Sequence, residues 1–135
     1  MFHKKAFTCN ENTKYKGNKG EDAACKFLEN NKFAIVGRNY ARKWGEIDII
    51  AKKEGILNFF EVKSVTYKTL GEFDAHRPED NVNALKVSHL RRIIETYLYD
   101  KSSGQDQEFK FHVLCVYLDM ETRLARVKWI KDVIL

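Results

Sequence analysis

With 135 residues, of which 44% are apolar and 32% charged, the chain can build one hydrophobic core but not two domains of usual size. Its net charge of +5, from 24 Lys and Arg against 19 Asp and Glu, favours polyanionic partners. Cys9, Cys25 and Cys115 show no Cys-x-x-Cys spacing and no stretch nears the ~20 apolar residues of a membrane span, which argues against a disulfide framework, a structural zinc and a membrane role.

Residues 1–15 are polar and aperiodic and read as a flexible basic arm, with Lys4, Lys5 and Lys14 either contacting a phosphate backbone or simply solvated. The arm has no apolar h-region, so a cytoplasmic location is expected, and 16–135 reads as a single domain. After a Gly17–Gly20 turn, Glu21 opens a helix that places Ala23, Ala24, Phe27 and Leu28 on one side and ends at Asn30-Asn31. Glu21 lies roughly 60° from the centre of that apolar stripe, facing towards the sheet. A first-turn acid is also what the helix macrodipole favours.

A strand over Phe33–Tyr40 follows, closed by the basic and aromatic cluster Arg38, Asn39, Tyr40, Arg42 and Lys43. Arg and Tyr together suit phosphate contact and base stacking, and equally decorate the solvent face of a strand end. Two apolar runs, Ile47–Ala51 and Ile56–Val62, are then joined by the Glu54-Gly55 step of a hairpin. The segment Ser64–Arg77 has no period and reads as a loop beside the hairpin, a place where substrate contacts are often found. Pro78 starts a long amphipathic helix to about Tyr99, with Leu90, Ile93, Ile94 and Leu98 inward and Lys86, Arg91 and Arg92 outward. Those cations form either a solvated face or a track for a nucleic-acid backbone. Strands over Phe109–Leu118 and Leu124–Trp129 complete the pattern, and Ile130–Leu135 reads as one helical turn. The order predicts an α/β fold with a mixed sheet flanked by helices.

Charge inside the hairpin is the unusual feature. Asp48 sits between Ile47 and Ile49, and Glu61 and Lys63 flank Val62. Residues two apart on a strand share a face, so Glu61 and Lys63 project together and the hairpin brings Asp48 alongside. Carboxylates among apolar neighbours cost several kcal/mol unless a cation compensates. Asp48, Glu61-x-Lys63 and the preceding Glu21 form the pattern of a metal-dependent phosphodiesterase. Asp48, Glu61 and the carbonyl of Val62 would hold Mg²⁺ or Mn²⁺, Glu21 would complete the shell through a water, and Lys63 would orient a water and stabilise developing charge.

These residues resemble the YraN family of small bacterial proteins, within the PD-(D/E)XK restriction-endonuclease-like superfamily and similar to archaeal-type Holliday junction resolvases. The resemblance rests on Gly20-Glu21 with Ala24 and Leu28, Arg38-Asn39-Tyr40 with Arg42, Gly45-Glu46-Ile47-Asp48-Ile49-Ile50, Phe60-Glu61-Val62-Lys63, Gly71, and Val82 with Lys86. It implies an α-β-β-β-α-β core, catalytic positions at Asp48, Glu61 and Lys63 with Glu21 as an accessory acid, DNA as the substrate class and a homodimer. Two positions depart from the family pattern: Ser64-Val65 stands where an Arg usually follows Glu-Val-Lys, and Phe111-His112 where an acid usually follows Phe. The leading expectation is an endonuclease acting on branched or structured DNA. The alternatives are a nucleic-acid-binding module with a vestigial site and a protein-interaction adaptor whose acids pair with Lys63.

Overall fold

A computed structural model describes residues 2–6, 19–67, 84–101 and 107–135. Its core follows the expected order: β1 (Phe2–Ala6), α1 (Lys19–Asn30), β2 (Ala34–Arg42), β3 (Gly45–Lys53), β4 (Ile56–Tyr67), α2 (Ala84–Lys101), β5 (Phe109–Asp119) and β6 (Leu124–Ile130). The six strands form one sheet in the order β1-β6-β5-β4-β3-β2. The β4–β5 pair is parallel and the rest are antiparallel, so the sheet is mixed. This is an α/β architecture with a restriction-endonuclease-like core.

Each helix covers one face. Ala23, Ala24, Phe27 and Leu28 of α1 bury against Ile49, Ala51, Phe60, Leu114, Val116 and Val127. On the other face Leu90, Ile93, Ile94 and Leu98 of α2 pack with Ile47, Ile50, Phe59, Val113 and Cys115. β5, central and covered on both sides, is buried from Phe111 to Asp119, which is why its apolar run shows no alternation.

Local chemistry sets the ends of the elements. α1 stops where Lys32 takes a left-handed φ of 72° and the Phe33 amide donates to the Leu28 carbonyl at 3.0 Å. Glu54 and Gly55, at φ 54° and 79°, form the tight turn of the β3–β4 hairpin and set Lys53 opposite Ile56. Gly20 is required by packing, since a Cβ there would lie 2.6 Å from the Ser64 Cβ of β4. That close approach seats the first turn of α1, and with it Glu21, against the end of the hairpin.

The structure departs from the sequence reading in three places. Within the stretch read as an arm, the backbone of Phe2–Ala6 pairs along β6, closing an edge that an apolar count did not anticipate. The tail 131–135 is not helical; the Val133 amide instead donates to the Phe111 carbonyl at 2.8 Å. β4 runs on to Tyr67 because its parallel partner β5 supports it along its whole length. Pro78, Gly71, Val82 and residues 68–77 of the expected loop lie outside the described residues. Among the described residues no helix is long and apolar enough to cross a membrane.

Candidate active site

The site forms where the strands of the hairpin part. The β3–β4 pairing runs from Lys53↔Ile56 to Ile49↔Phe60 and goes no further. One step beyond, the Asp48 carboxylate accepts a hydrogen bond from the Val62 amide at 2.8 Å. A side chain therefore takes over where backbone pairing stops, and the partly buried amide is not orphaned.

How Asp48 comes to point across the sheet follows from its neighbours. Ile47 packs on the α2 face and Ile49 on the α1 face, although residues two apart on a regular strand share a face. β3 thus turns over at Asp48. Its partner turns over at the same level: Arg38, opposite Ile49, meets α1, while Tyr40, opposite Ile47, packs on the α2 face. Asn39 between them accommodates the inversion at φ 54°, a left-handed conformation that Asn tolerates better than most residues. A side chain at the inversion lies near the plane of the sheet and reaches the next strand, β4.

β4 supplies the second part. Phe60 and Val62 pack on the α1 face and Phe59 on the α2 face, so Glu61 and Lys63 alternate onto the α2 side. The Glu61 carboxylate is buried and meets the Lys63 ammonium at 3.4 Å. α1 supplies the third part: Glu21, half-buried, brings a carboxylate oxygen to within 4.8 Å of oxygens of Asp48 and Glu46. Burial, and then the negative charge of Glu61, push the Asp48 carboxyl up to about 7, against the opposing pull of the Val62 amide. Burial also raises Glu21, with Arg38 acting in the opposite sense.

Glu46 was not among the residues singled out from sequence. It stands two residues before Asp48 in Gly45-Glu46-Ile47-Asp48, and the inversion of β3 at Asp48, which sequence spacing does not announce, brings it to Glu21. Gly45, which opens β3, faces α2, where a Cβ would meet the His89 carbonyl oxygen at 3.4 Å, close to ordinary contact.

The basic and aromatic cluster after the first predicted strand does not form one surface. Arg38 turns to α1 and bridges Glu21 at 3.2 Å and Asp22 at 3.0 Å. Tyr40 and Arg42 turn to the end of α2, where both bind the Asp100 carboxylate, at 2.7 and 3.0 Å, and the Arg42 guanidinium lies 4.5 Å from the Tyr40 ring centre. Lys43 is exposed in the β2–β3 turn. Lys86 lies in α2, with its side chain outside the described residues.

His112 serves the core. It stacks on Phe60, its Nδ1 accepts from the Asp132 amide at 3.0 Å, and its Nε2 therefore carries the proton that meets Asn58 Oδ1 at 2.7 Å. Burial pushes its pKa down to about 4, so the ring is neutral at pH 7.

A family model described as "Uncharacterised protein family UPF0102" matches residues 20–116, the stretch from the first turn of α1 into β5. The chain belongs to the UPF0102 family. This is the YraN family, whose members are nuclease-like. A UPF0102 protein of Desulforamulus reducens is 38% identical over 86% of this chain and 92% of its own length. One of Campylobacter lari is 43% identical over 76% of this chain and 84% of its own. One of Caldicellulosiruptor saccharolyticus is 31% identical over 86% and 93%. The UPF0102 match takes in Glu21, Arg38, Glu46, Asp48, Glu61, Lys63 and His112.

The donor set is chemically suited to Mg²⁺ or Mn²⁺. It is all oxygen, anionic and clustered, with the oxygens of the three acids within 4.8 Å of one another, and ligand oxygens about 2.1 Å from an octahedral ion lie roughly 3–4 Å apart. No sulfur or imidazole donor belongs to the cluster, so the softer metals have no claim on it.

Proposed function

We propose that this UPF0102 chain is a metal-dependent nuclease that hydrolyses phosphodiester bonds, with branched or structured DNA as substrate, in the cytoplasm. The observation that carries the reading is the Asp48 carboxylate held on the Val62 amide. It lies beside the Glu61–Lys63 pair, with Glu21 and Glu46 oxygens within 4.8 Å. Salt bridges alone account poorly for this arrangement, because among the described residues Asp48, Glu61, Glu21 and Glu46 face Lys63 and an Arg38 that is shared with Asp22, which leaves an excess of negative charge in a partly buried place.

Asp48, Glu46 and Glu21 would hold Mg²⁺ or Mn²⁺, with Glu61 and the Val62 carbonyl available from β4. Such a cation neutralises charge on phosphate oxygens and acidifies a water. The chain's own residues do the rest. Glu61 orients the Lys63 ammonium, which then donates to a water or to the phosphate oxygen on which charge develops. The apolar residues around β4 keep bulk water from screening that interaction, which makes a single positioned ammonium more effective there than at the surface.

The test is cleavage of labelled duplex and four-way-junction DNA with Mg²⁺, Mn²⁺ or chelator, by wild type, Asp48→Asn and Glu61→Gln. Metal-dependent cleavage lost in both variants is expected. Cleavage that persists in both would overturn the assignment, as would its absence from wild type on every DNA form.

A further inference from the structure

Glu21 belongs to two constellations at once. Its Oε1 accepts from Arg38 Nη2 at 3.2 Å, and it also supplies one of the three clustered carboxylate oxygens with Glu46 and Asp48. The same Arg38 nitrogen reaches Asp22 Oδ1 at 3.0 Å. Asp22 is not part of the acid cluster. Arg38 is therefore held by one acid that a cation would claim and by one that it would not.

The position of Arg38 is equally specific. It stands opposite Ile49 on the neighbouring strand, one residue from Asp48, and its side chain is 18% exposed. Its guanidinium is thus at the edge of the cluster rather than out in solvent. Two residues beyond Lys63 stands Val65, and β4 carries no Arg along its length. Ser64, the residue between, is occupied in packing against Gly20. The β4 strand thus offers no guanidinium at the site, and Arg38 on β2 is placed to supply one.

We propose that Arg38 is a phosphate-binding residue kept in reserve by Glu21. In the metal-free protein its guanidinium serves as the counter-ion of the acid cluster. A divalent cation takes over Glu21, because it binds a carboxylate more strongly than a shared, singly charged guanidinium does. Asp22 keeps Arg38 at the site, and the donor that had served Glu21 passes to a phosphate oxygen of the nucleic acid, a ligand whose geometry a guanidinium fork matches. Metal occupancy and phosphate binding are then linked through one side chain. This rests on the nuclease reading above.

The experiment has two readouts. Calorimetry follows Mn²⁺ binding to wild type, Arg38→Gln and Asp48→Asn without DNA. Fluorescence anisotropy follows a labelled DNA four-way junction with and without Ca²⁺, which takes the same oxygen donors. For wild type, Ca²⁺ is expected to tighten DNA binding about tenfold, the effect of one charge-assisted contact of about 1.4 kcal/mol. In Arg38→Gln the gain falls below about twofold while Mn²⁺ binding is kept or tightened, since the guanidinium that competes for Glu21 is gone. Arg38→Lys, which keeps the charge without the fork, recovers part of the gain and serves where the glutamine variant folds poorly. A Ca²⁺ gain in Arg38→Gln equal to that of wild type overturns the proposal. So does loss of Mn²⁺ binding in Arg38→Gln, which would make Arg38 a brace for Glu21 and nothing more. Mn²⁺ binding by wild type with no Ca²⁺ gain in DNA affinity also overturns it and leaves the nuclease reading standing. Absence of Mn²⁺ binding to wild type removes the nuclease reading itself.

Discussion

The Asp48 carboxylate replaces a rung of the β3–β4 ladder by accepting the Val62 amide at 2.8 Å, one step past the last backbone pair. Its pKa is raised to about 7 by burial first and by Glu61 second, whereas an unfolded Asp titrates near 4. Between those values the folded protein keeps a proton that the unfolded chain has released. Stability of the metal-free protein therefore falls as pH rises from about 4 to about 7, and the loss is complete above that. Asp48→Asn keeps an acceptor for the Val62 amide and removes the titration, and is expected to stabilise the metal-free protein by about 1–3 kcal/mol at pH 8. Asp48→Ala leaves the amide without that acceptor and is expected to lie below Asp48→Asn by about 1–3 kcal/mol at every pH. Urea unfolding from pH 4 to 8 checks both.

His112 titrates in the opposite sense. Its folded pKa is pushed down to about 4, so between that value and about 6.5 the unfolded chain binds a proton that the folded one refuses. Its contribution is complete above about pH 6.5 and is lost as pH falls towards 4. His112→Gln is expected to cost about 1–3 kcal/mol at pH 7, through the lost Phe60 stack and the disturbed Asn58 and Asp132 contacts. The same variant should flatten the acid limb of the stability profile, measured by thermal unfolding from pH 4 to 7. An unchanged acid limb would show that another group governs it.

Gly20 and Ser64 test how α1 is seated. A methyl at position 20 meets the Ser64 Cβ at 2.6 Å and its Oγ at 2.8 Å, so Gly20→Ala must push α1 from β4. The expected cost is about 1–3 kcal/mol. Ser64→Gly in the same chain removes both clashing atoms and should recover most of it, a coupling that a double-mutant cycle measures. On the nuclease reading, because Glu21 directly follows Gly20, the single variant should also lose metal affinity and the double variant regain it.

Lys63 bears on the chemistry more than on the fold. Lys63→Met keeps the length of the stem and removes the ammonium that Glu61 holds at 3.4 Å. On the nuclease reading, cleavage should fall about 10²–10⁴-fold with Mn²⁺ binding retained. Equal cleavage by the variant and wild type in single-turnover assays would remove Lys63 from the mechanism.

Much of this was legible in the chain itself. The β3–β4 hairpin followed from Glu54-Gly55 between two apolar runs, and the α1 face from Ala24, Phe27 and Leu28, because both patterns repeat at the period of their element. Asp48, Glu61 and Lys63 stood out because charge in an apolar run needs a partner. What was not legible depends on which way a strand faces. Arg38 and Tyr40 share a face in any regular strand, and the left-handed Asn39 sends one to α1 and the other to α2. Glu46 joined the cluster through the same inversion in β3. The pairing of Phe2–Ala6 with β6 is a long-range contact between the two ends of the chain, and nothing periodic in those five residues announces it.

The irregularities of β2 bear on how two copies of the chain could meet. β2 is an outer strand of the sheet, and an evenly spaced outer strand is an open template for a neighbour's backbone. Here the register slips between Ile35 and Gly37, and Asn39 turns left-handed three residues later, counting from Val36. The amides and carbonyls along that rim no longer fall at the repeat that a second strand would need. On the β2 side, then, any second copy would have to be joined by side chains, since these irregularities interrupt the rim along which a continuous sheet would run.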